Sequence, residues 1–372
     1  MRRFVLIMAA LLVFAGCVYA ENGGIPGQAR NDAAIHEPIT IGANTEWPLD
    51  GILSIPADAT AENPAPALII VAGSGPNNMD GRIELPPELL PPGLVLPDNA
   101  IYRDIAEYLA ASGVAVIRHD KRTLTHGAAI VAMGGEATVY HEFIADALLA
   151  AEILRADARI DSNRIFILGH SQGGAIIPRI HMAGGDFAGL IFAATTPRSM
   201  IVLAAEQTMA DINFQWEHIT PEMQTDPNFA PIIAQMEGLQ AMIEADLEVY
   251  ARLNDMTADE AQNTAIMGIF GSYLLDMQNY PLADLASQID VPMLIIHAER
   301  DFQITTATDL PLMRQIFENL PNATIRVYPD LNHMLMPTTA TNFSEHAAQI
   351  LMNQGQVDPQ LLRGIVDWIL GN

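Results

Sequence analysis

The chain has 372 residues, with 44 acidic and 18 basic side chains, and its formal charge is −26. Half of its residues are apolar, far more than a disordered acidic chain carries, so we expect a folded protein with one large core or a core and a subdomain. A charge this negative repels phosphate backbones and anionic lipid surfaces, which excludes nucleic acid as an expected partner.

The first twenty residues, 1–20, indicate an export signal. Two arginines stand near the start, residues 4–14 are apolar but too few to span a bilayer, and small residues follow. Two processing sites stay open: cleavage after Ala20, or a bacterial lipobox ending at Cys17, which would become the lipidated first residue. A retained N-terminal anchor helix is the third alternative. We expect a protein of the periplasm or cell envelope, or a secreted one, that meets the membrane only through a lipid anchor at the N-terminus, where one is present.

Beyond the signal, residues 21–35 carry glycines and a proline without an apolar period, which predicts a flexible tether. From residue 39 the pattern alternates, and residues 39–41 and 49–55 predict an antiparallel pair of strands. Continuous apolar runs, typical of strands buried on both faces of a parallel sheet, follow at 67–72, 114–117, 165–168, 190–193 and 293–296. Helical patterns lie between them at 101–111, 139–154 and 174–182. This alternation predicts an α/β fold with a mostly parallel central sheet flanked by helices.

The alternation stops over residues 197–290, where helical periodicity continues without β-rich runs. We predict that this stretch is a helical cap insertion, called the cap segment below, over a core formed by residues 36–196 and 291–372. The methionines of the cap segment either line a binding cavity or fill the cap's own core. Residues 85–98 are rich in proline and predict an irregular surface segment.

The strongest motif for chemistry is Gly-His-Ser-Gln-Gly at residues 169–173, between a buried apolar run and a helical pattern. A Gly-x-Ser-x-Gly turn in that position is typical of a nucleophile elbow, in which the serine takes a strained backbone conformation and flanking glycines avoid collision. We therefore predict Ser171 as the nucleophile and Gly169 and Gly173 as the elbow glycines. A glycine-rich turn without chemistry is the plain alternative, and a phosphate-binding loop lacks its Gly-Lys-Ser/Thr ending.

A serine hydroxyl needs a base, and the base needs an acid that orients it, in the chain order serine, acid, histidine. Asp301 and His333 each follow a predicted strand, at the edge where open α/β sheets place their ligands. Glu299 is the rival acid, His297 is expected in the core, and His170 is expected only to pack beside the elbow. The histidines show no convincing metal-ligand spacing, so neither a metal nor a cofactor is expected.

An acyl-transfer site also needs backbone N–H donors for the oxyanion that develops on the substrate. The amide of Gln172, directly after the nucleophile, is one predicted donor, and the loop after the third strand supplies the other. That loop is Ala-Gly-Ser-Gly-Pro-Asn-Asn at residues 72–78, and its glycines let the backbone approach the substrate. The N–H of Ser74 is the candidate, with a simple glycine turn as the alternative.

Five motifs together resemble the serine α/β-hydrolases, and more narrowly the bacterial esterases related to dienelactone hydrolases and serine aminopeptidase-like hydrolases. They are Gly-Ser-Gly-Pro-Asn at 73–77, Arg-His-Asp-Lys-Arg at 118–122, Gly-His-Ser-Gln-Gly-Gly at 169–174, Glu-Arg-Asp-Phe-Gln at 299–303 and Leu-Asn-His at 331–333. The chain departs from the family pattern at Asn78-Met79, where Asp-Arg is usual, and at Thr123, where glycine is usual. These departures leave the triad intact and remove any substrate contact that the missing Asp and Arg would make.

The motifs and the resemblance together imply the α/β-hydrolase fold and an exported serine hydrolase that cleaves a small neutral carboxylic ester through an acyl-enzyme. A peptidase or an acyltransferase with the same triad is the alternative among enzymes. A surface lipoprotein whose hydrolase fold only binds a ligand is the alternative of another class. The natural ester and the oligomeric state stay open.

Overall fold

The computed structural model describes residues 33–82, 96–352 and 355–372. The predicted export signal over 1–20 with Cys17, most of the predicted tether and most of the proline-rich segment lie outside these residues. Within the described part of the chain, no helix combines the length and the apolar character needed to cross a membrane.

The strands of the described residues are β1 (Ala34–Ile41), β2 (Leu49–Pro56), β3 (Ala65–Val71), β4 (Ala115–His119), β5 (Ile160–His170), β6 (Gly189–Ala193), β7 (Ala265–Ile266), β8 (Ile269–Phe270), β9 (Met293–Ala298) and β10 (Ala323–Tyr328). Eight of them form one sheet in the order β1-β2-β4-β3-β5-β6-β9-β10, and β7 and β8 form a separate hairpin. The pairs β1–β2 and β2–β4 are antiparallel, and every pair from β4 to β10 is parallel. The mostly parallel sheet and its antiparallel leading pair are therefore confirmed.

The helices of the described residues are α1 (Ile101–Ala110), α2 (Arg122–Thr125), α3 (Gly127–Met133), α4 (Ala145–Ala156), α5 (Gln172–Ile180), α6 (Met200–His218), α7 (Pro221–Thr225), α8 (Ala230–Tyr250), α9 (Ala258–Asn263), α10 (Gly271–Gln278), α11 (Leu282–Ala286), α12 (Asp309–Phe317), α13 (Phe343–Met352) and α14 (Pro359–Gly371). A π-helical turn at Tyr140–Ile144 leads directly into α4.

Helices cover both faces of the sheet, which explains the continuous apolar runs in the sequence. In β5, Ile165 and Ile167 face a core shared with α4, α5 and α12, whereas Phe166 and Leu168 face a core shared with α1 and α14. Because successive side chains of a strand point to opposite faces, a strand covered on both sides needs apolar residues at every position.

The cap segment contains α6 to α11 and the β7–β8 hairpin, and it has a core of its own. The hairpin was not predicted. Each of its strands has two residues, too few to show an alternating pattern, and its turn places Met267 and Gly268 at positive φ. Met236 is buried in the cap's own core, so filling that core, one of the two alternatives for the methionines, holds for this residue.

Candidate active site

Ser171 lies at the sharp turn between β5 and α5, with φ 54° and ψ −122°. A positive φ is unfavourable for a residue with a side chain and persists only where neighbours enforce it. Here the N–H of Ser171 donates to the carbonyl of Ala193 at 2.8 Å, and Thr195 Oγ1 donates to the carbonyl of Ser171 at 3.2 Å. The backbone conformation is the one that a nucleophile elbow requires.

Glycines let α5 pack this closely against the sheet. A Cβ on Gly169 would lie 2.5 Å from the carbonyl carbon of Gly173, and one on Gly173 would lie 2.5 Å from the carbonyl oxygen of Ala72. Both positions predicted as elbow glycines therefore have no room for a side chain. Gly174 is equally confined, since its Cβ would collide with the hydroxyl of Thr195 at 1.8 Å.

Asp301 and His333, which follow β9 and β10, form a buried pair. His333 Nδ1 lies 2.7 Å from Asp301 Oδ2, and Asp301 Oδ1 accepts the N–H groups of Gln303 and Ile304, each at 2.8 Å. Burial acts to raise the pKa of Asp301, but His333 and the N–H of Ile304 outweigh it, so the pKa lies below its ordinary value. The carboxylate is thus ionised near neutral pH, Nδ1 of His333 must donate, and its Nε2 is left as the basic nitrogen.

The rival residues lie elsewhere. The side chain of Glu299 is exposed, and buried His297 places Nε2 3.1 Å from the hydroxyl of Thr306. The structure therefore brings Asp301, and not Glu299, to His333. Among the described residues, no group of three or more His, Cys, Asp or Glu side chains is arranged to hold a metal ion.

The loop after β3 passes directly over Ser171. A Cβ on Gly73 would lie 3.1 Å from Cβ of Ser171, and Gly75 has φ 81°. Ser74 and Gln172 line the same cavity as Ser171. Within the described part of the chain, the backbone N–H of neither residue has a hydrogen-bond acceptor, so both N–H groups are available to a developing oxyanion.

His170 has a larger part than the packing expected from the sequence. The N–H of Gly73 donates to the hydroxyl of Tyr102 at 2.9 Å, and that hydroxyl lies 3.2 Å from Nδ1 of His170. Nε2 of His170 lies 2.9 Å from the carbonyl of His333. Burial, with His333 nearby, lowers the pKa of His170 to about 3, so the ring is neutral, accepts from Tyr102 and donates to His333. A neutral histidine thereby ties the loop over Ser171 to the backbone of His333.

A cavity of about 140 Å³ opens on Ser171. Its apolar wall consists of Ala175, Met200, Ile201, Leu203, Ala204, Met267, Ile269, Met277 and Ile304. The charged residue that lines the cavity is Arg198, and its guanidinium group pairs with Asp309 at 2.8 Å and with Glu206 at 2.5 Å. A second cavity of about 240 Å³ shares Arg198 and two of the methionines with the first but does not include Ser171. Three methionines of the cap segment thus line the site, as the cavity alternative predicted.

A partly buried polar network that sequence reasoning missed connects the loop over Ser171 to the cap segment. Lys121, 3% exposed, donates from Nζ to the carbonyl of Gly73 at 2.8 Å and lies 2.7 Å from Glu142 Oε1. The hydroxyl of Tyr273 donates to Glu142 Oε2 at 2.6 Å and accepts from Nε2 of Gln172 at 3.2 Å. Burial lowers the pKa of Lys121 and raises that of Tyr273. One signal was present in the sequence, since Lys121 is the only lysine of the chain.

Comparison with known proteins gives a family match and several likenesses. The family model described as serine aminopeptidase, S33, matches residues 99–338. The esterase EstD of Thermotoga maritima is 28% identical over 325 residues, which cover 87% of this chain and 65% of that protein, so the chain spans less than two thirds of this relative.

Two solved esterase structures resemble the chain at low identity. Est1E from Butyrivibrio proteoclasticus is 13% identical with a TM-score of 0.48, covering 90% of this chain and 99% of that one. The Pyrococcus furiosus esterase PF2001 is 13% identical with a TM-score of 0.47, covering 94% of this chain and 95% of that one. Neither likeness carries an argument about what this chain acts on.

Proposed function

Because the chain belongs to the serine aminopeptidase, S33 family of α/β-hydrolases, we propose that it is a serine hydrolase that cleaves carboxylic esters through an acyl-enzyme. The observation that carries the proposal is Ser171, held at positive φ between β5 and α5 and opening on a largely apolar cavity. The similarity to a protein described as an esterase supports the choice of ester bonds.

The residues of the site have defined parts in this mechanism. Ser171 Oγ attacks the acyl carbon while Nε2 of His333 takes its proton, and Asp301 holds the imidazolium that forms. The backbone N–H groups of Ser74 and Gln172 bind the oxyanion of the tetrahedral intermediate. His333 then gives its proton to the leaving alcohol, and a water molecule, activated by the same base, releases the acid and restores the serine.

The aminopeptidase alternative has support from the description of the family, but the cavity favours an ester. An aminopeptidase must bind the free α-ammonium group of its substrate, which calls for a carboxylate in the pocket. Among the described residues that line the cavity of Ser171 there is no Asp or Glu, and the charge of Arg198 is compensated by Asp309 and Glu206. We therefore propose a small neutral ester as substrate. Aryl esters compared with aminoacyl arylamides test this point: comparable rates of arylamine release would favour the peptidase.

The central experiment labels the protein with a fluorophosphonate and measures turnover of a short chromogenic ester. The matched variants are Ser171→Ala and Ser287→Ala, since Ser287 is an exposed serine at the end of α11. We expect wild type and Ser287→Ala to label and to hydrolyse the ester, and Ser171→Ala to do neither. Wild-type protein that neither labels nor hydrolyses any ester would favour the ligand-binding lipoprotein and overturn the proposal.

Export is a separate part of the proposal and rests on residues 1–20. The full chain, expressed in a bacterial host, is to be fractionated and the mass of its mature N-terminus measured. A lipid-modified N-terminus that is lost in Cys17→Ser would establish the lipobox, and an unmodified chain beginning after Ala20 would establish plain cleavage. An unprocessed cytoplasmic chain would contradict export and leave the chemistry unaffected.

A further inference from the structure

The buried lysine acts on the same peptide group that supplies the proposed second oxyanion donor. The carbonyl of Gly73 and the N–H of Ser74 belong to one planar, trans peptide unit, so they point in opposite directions and turn together. Lys121 Nζ donates to that carbonyl at 2.8 Å. Because glycines on both sides of Ser74 leave the loop free to rotate, fixing the carbonyl fixes the direction of the Ser74 N–H.

The lysine also strengthens the donor that it orients. A positively charged donor beside the carbonyl oxygen polarises the peptide group. The partial positive charge on the N–H hydrogen increases, as it does along any chain of hydrogen bonds. Lys121 is 3% exposed, so water screens this field little. The second partner of the Gly73 carbonyl, Nδ2 of Asn77 at 3.2 Å, is neutral and more distant.

The partners of Lys121 extend to the other oxyanion donor. Its ammonium lies 2.7 Å from Glu142 Oε1 and 4.1 Å from the ring centre of Phe143, which offsets the cost of burying the charge. Glu142 in turn accepts the hydroxyl of Tyr273, which accepts from the side chain of Gln172. Gln172 carries the first donor on its own backbone, so one chain of contacts joins the Gly73–Ser74 peptide to the side chain of the residue that supplies the other donor.

We propose that Lys121, Glu142 and Tyr273 are positioning residues for the oxyanion hole, with Lys121 acting through the Gly73–Ser74 peptide and Tyr273 acting from the cap segment. The inference rests on the proposed function, because it assigns these residues to the tetrahedral intermediate of ester hydrolysis. The inference goes beyond that function because it gives Tyr273, a residue of the cap segment, a part in positioning the oxyanion hole.

The first test is Lys121→Met, which keeps a long apolar side chain and removes the charge, with Arg122→Met as the matched control. Arg122 is the next residue, is equally buried and pairs with Asp146, and among the described residues its side chain contacts Asp146 and Trp47 and not the loop over Ser171. We expect Lys121→Met to lower kcat by about 10- to 100-fold, less than the effect of deleting an oxyanion donor outright, with KM nearly unchanged. Affinity for a trifluoromethyl ketone, which forms a tetrahedral oxyanion on the serine, should fall by the same factor. Arg122→Met should lose thermal stability and keep its kcat.

The double variant Lys121→Met/Glu142→Gln covers the case in which the single variant does not fold, because it leaves no buried charge without a partner. It should show the same loss of kcat and of ketone affinity. Tyr273→Phe should show a smaller loss of the same kind. An unchanged kcat in a folded Lys121 variant, or equal losses of kcat in Arg122→Met, would overturn the inference.

The wild-type protein offers an independent readout. As the chain has one lysine, ¹⁵N-lysine labelling gives one Nζ resonance. We expect this resonance to shift when the trifluoromethyl ketone adduct forms, and not when the ketone is added to Ser171→Ala. An unshifted resonance in the wild-type adduct would overturn the inference while leaving the proposed function intact, whereas the absence of any adduct or ester turnover would contradict the proposed function itself.

Discussion

Asp301→Asn should change the protonation of His333, the proposed base, because the two oxygens of Asp301 have different partners. Oδ1 accepts two backbone N–H groups, those of Gln303 and Ile304, and Oδ2 accepts from His333 Nδ1. The asparagine oxygen must stay with the two N–H donors, since an amide NH₂ in that place would face donors only. The NH₂ group then faces Nδ1 of His333, which has to accept. The ring proton is thereby moved to Nε2, where the base needs a lone pair for Ser171.

This wrong tautomer should lower kcat by about 10⁴-fold, which corresponds to a barrier higher by about 5 kcal/mol. KM should change little, because Asp301 does not line the cavity of Ser171. The assay is steady-state hydrolysis of a short chromogenic aryl ester, with thermal unfolding as the check that the variant is folded. Glu299→Gln is the matched control: Glu299 is the neighbouring acid, its side chain is exposed, and we expect wild-type activity.

Two results would refute this reasoning. A kcat for Asp301→Asn within about tenfold of wild type would mean that the buried carboxylate does not set the tautomer of the base. A loss in Glu299→Gln as large as that in Asp301→Asn would mean that the acid was assigned to the wrong residue.

Three further predictions concern stability, each measured by urea unfolding. Gly169→Ala should lower the free energy of unfolding by about 1 to 3 kcal/mol, because the new Cβ would lie 2.5 Å from backbone atoms. The control Gly238→Ala has open space at an exposed position of α8 and should raise the free energy of unfolding by up to about 1 kcal/mol. Equal effects of the two variants would contradict the packing argument. Tyr102→Phe should lower the free energy of unfolding by about 1 to 3 kcal/mol, because a buried backbone N–H loses its acceptor and a buried histidine loses its donor; a neutral effect would contradict this. Burial raises the pKa of Asp104 from 3.8 to about 6, so the folded state binds the proton of this carboxyl group more tightly than the unfolded state does. Protonation of Asp104 therefore contributes its full stability below about pH 4, and this contribution is lost as the pH rises through 6. Asp104→Asn keeps an acceptor for the N–H of Val357. Between pH 4 and 7 its free energy of unfolding should rise relative to that of wild type by up to about 3 kcal/mol. A difference between the two proteins that does not depend on pH would contradict the prediction.

The sheet could be predicted because a strand that is buried on both faces needs apolar residues at every position. The residues of β3 and β6 are all buried, and both strands appear in the sequence as continuous apolar runs. The β7–β8 hairpin could not be predicted, because two-residue strands carry no period. Their turn is set by the positive φ of Met267 and Gly268, and methionine gives no local sign of that conformation.

The residues that lie directly after strands were also within reach of the sequence. Ser171, Asp301 and His333 follow β5, β9 and β10 in turn, and parallel strands bring such positions to one edge. Lys121, Glu142 and Tyr273 are far apart in the chain, and Tyr273 comes from the cap segment, so no local pattern marks them. His170 shows the same limit, since its partner Tyr102 comes from α1.

Tyr273 on α10 makes the cap segment more than an exchangeable cover. Replacing the segment above Ser171 to change the substrate range assumes that the core does not depend on the segment that covers it. Here the core contributes Glu142 and Gln172, and the hydroxyl that bridges them arrives from the cap. A chimera that replaces residues 197–290 would leave the partly buried side chains of Glu142 and Gln172 without their shared partner. A library of variants with altered substrate range should therefore keep α10 and Tyr273, and should vary the residues of the β7–β8 hairpin and the positions of α6 that face the cavity.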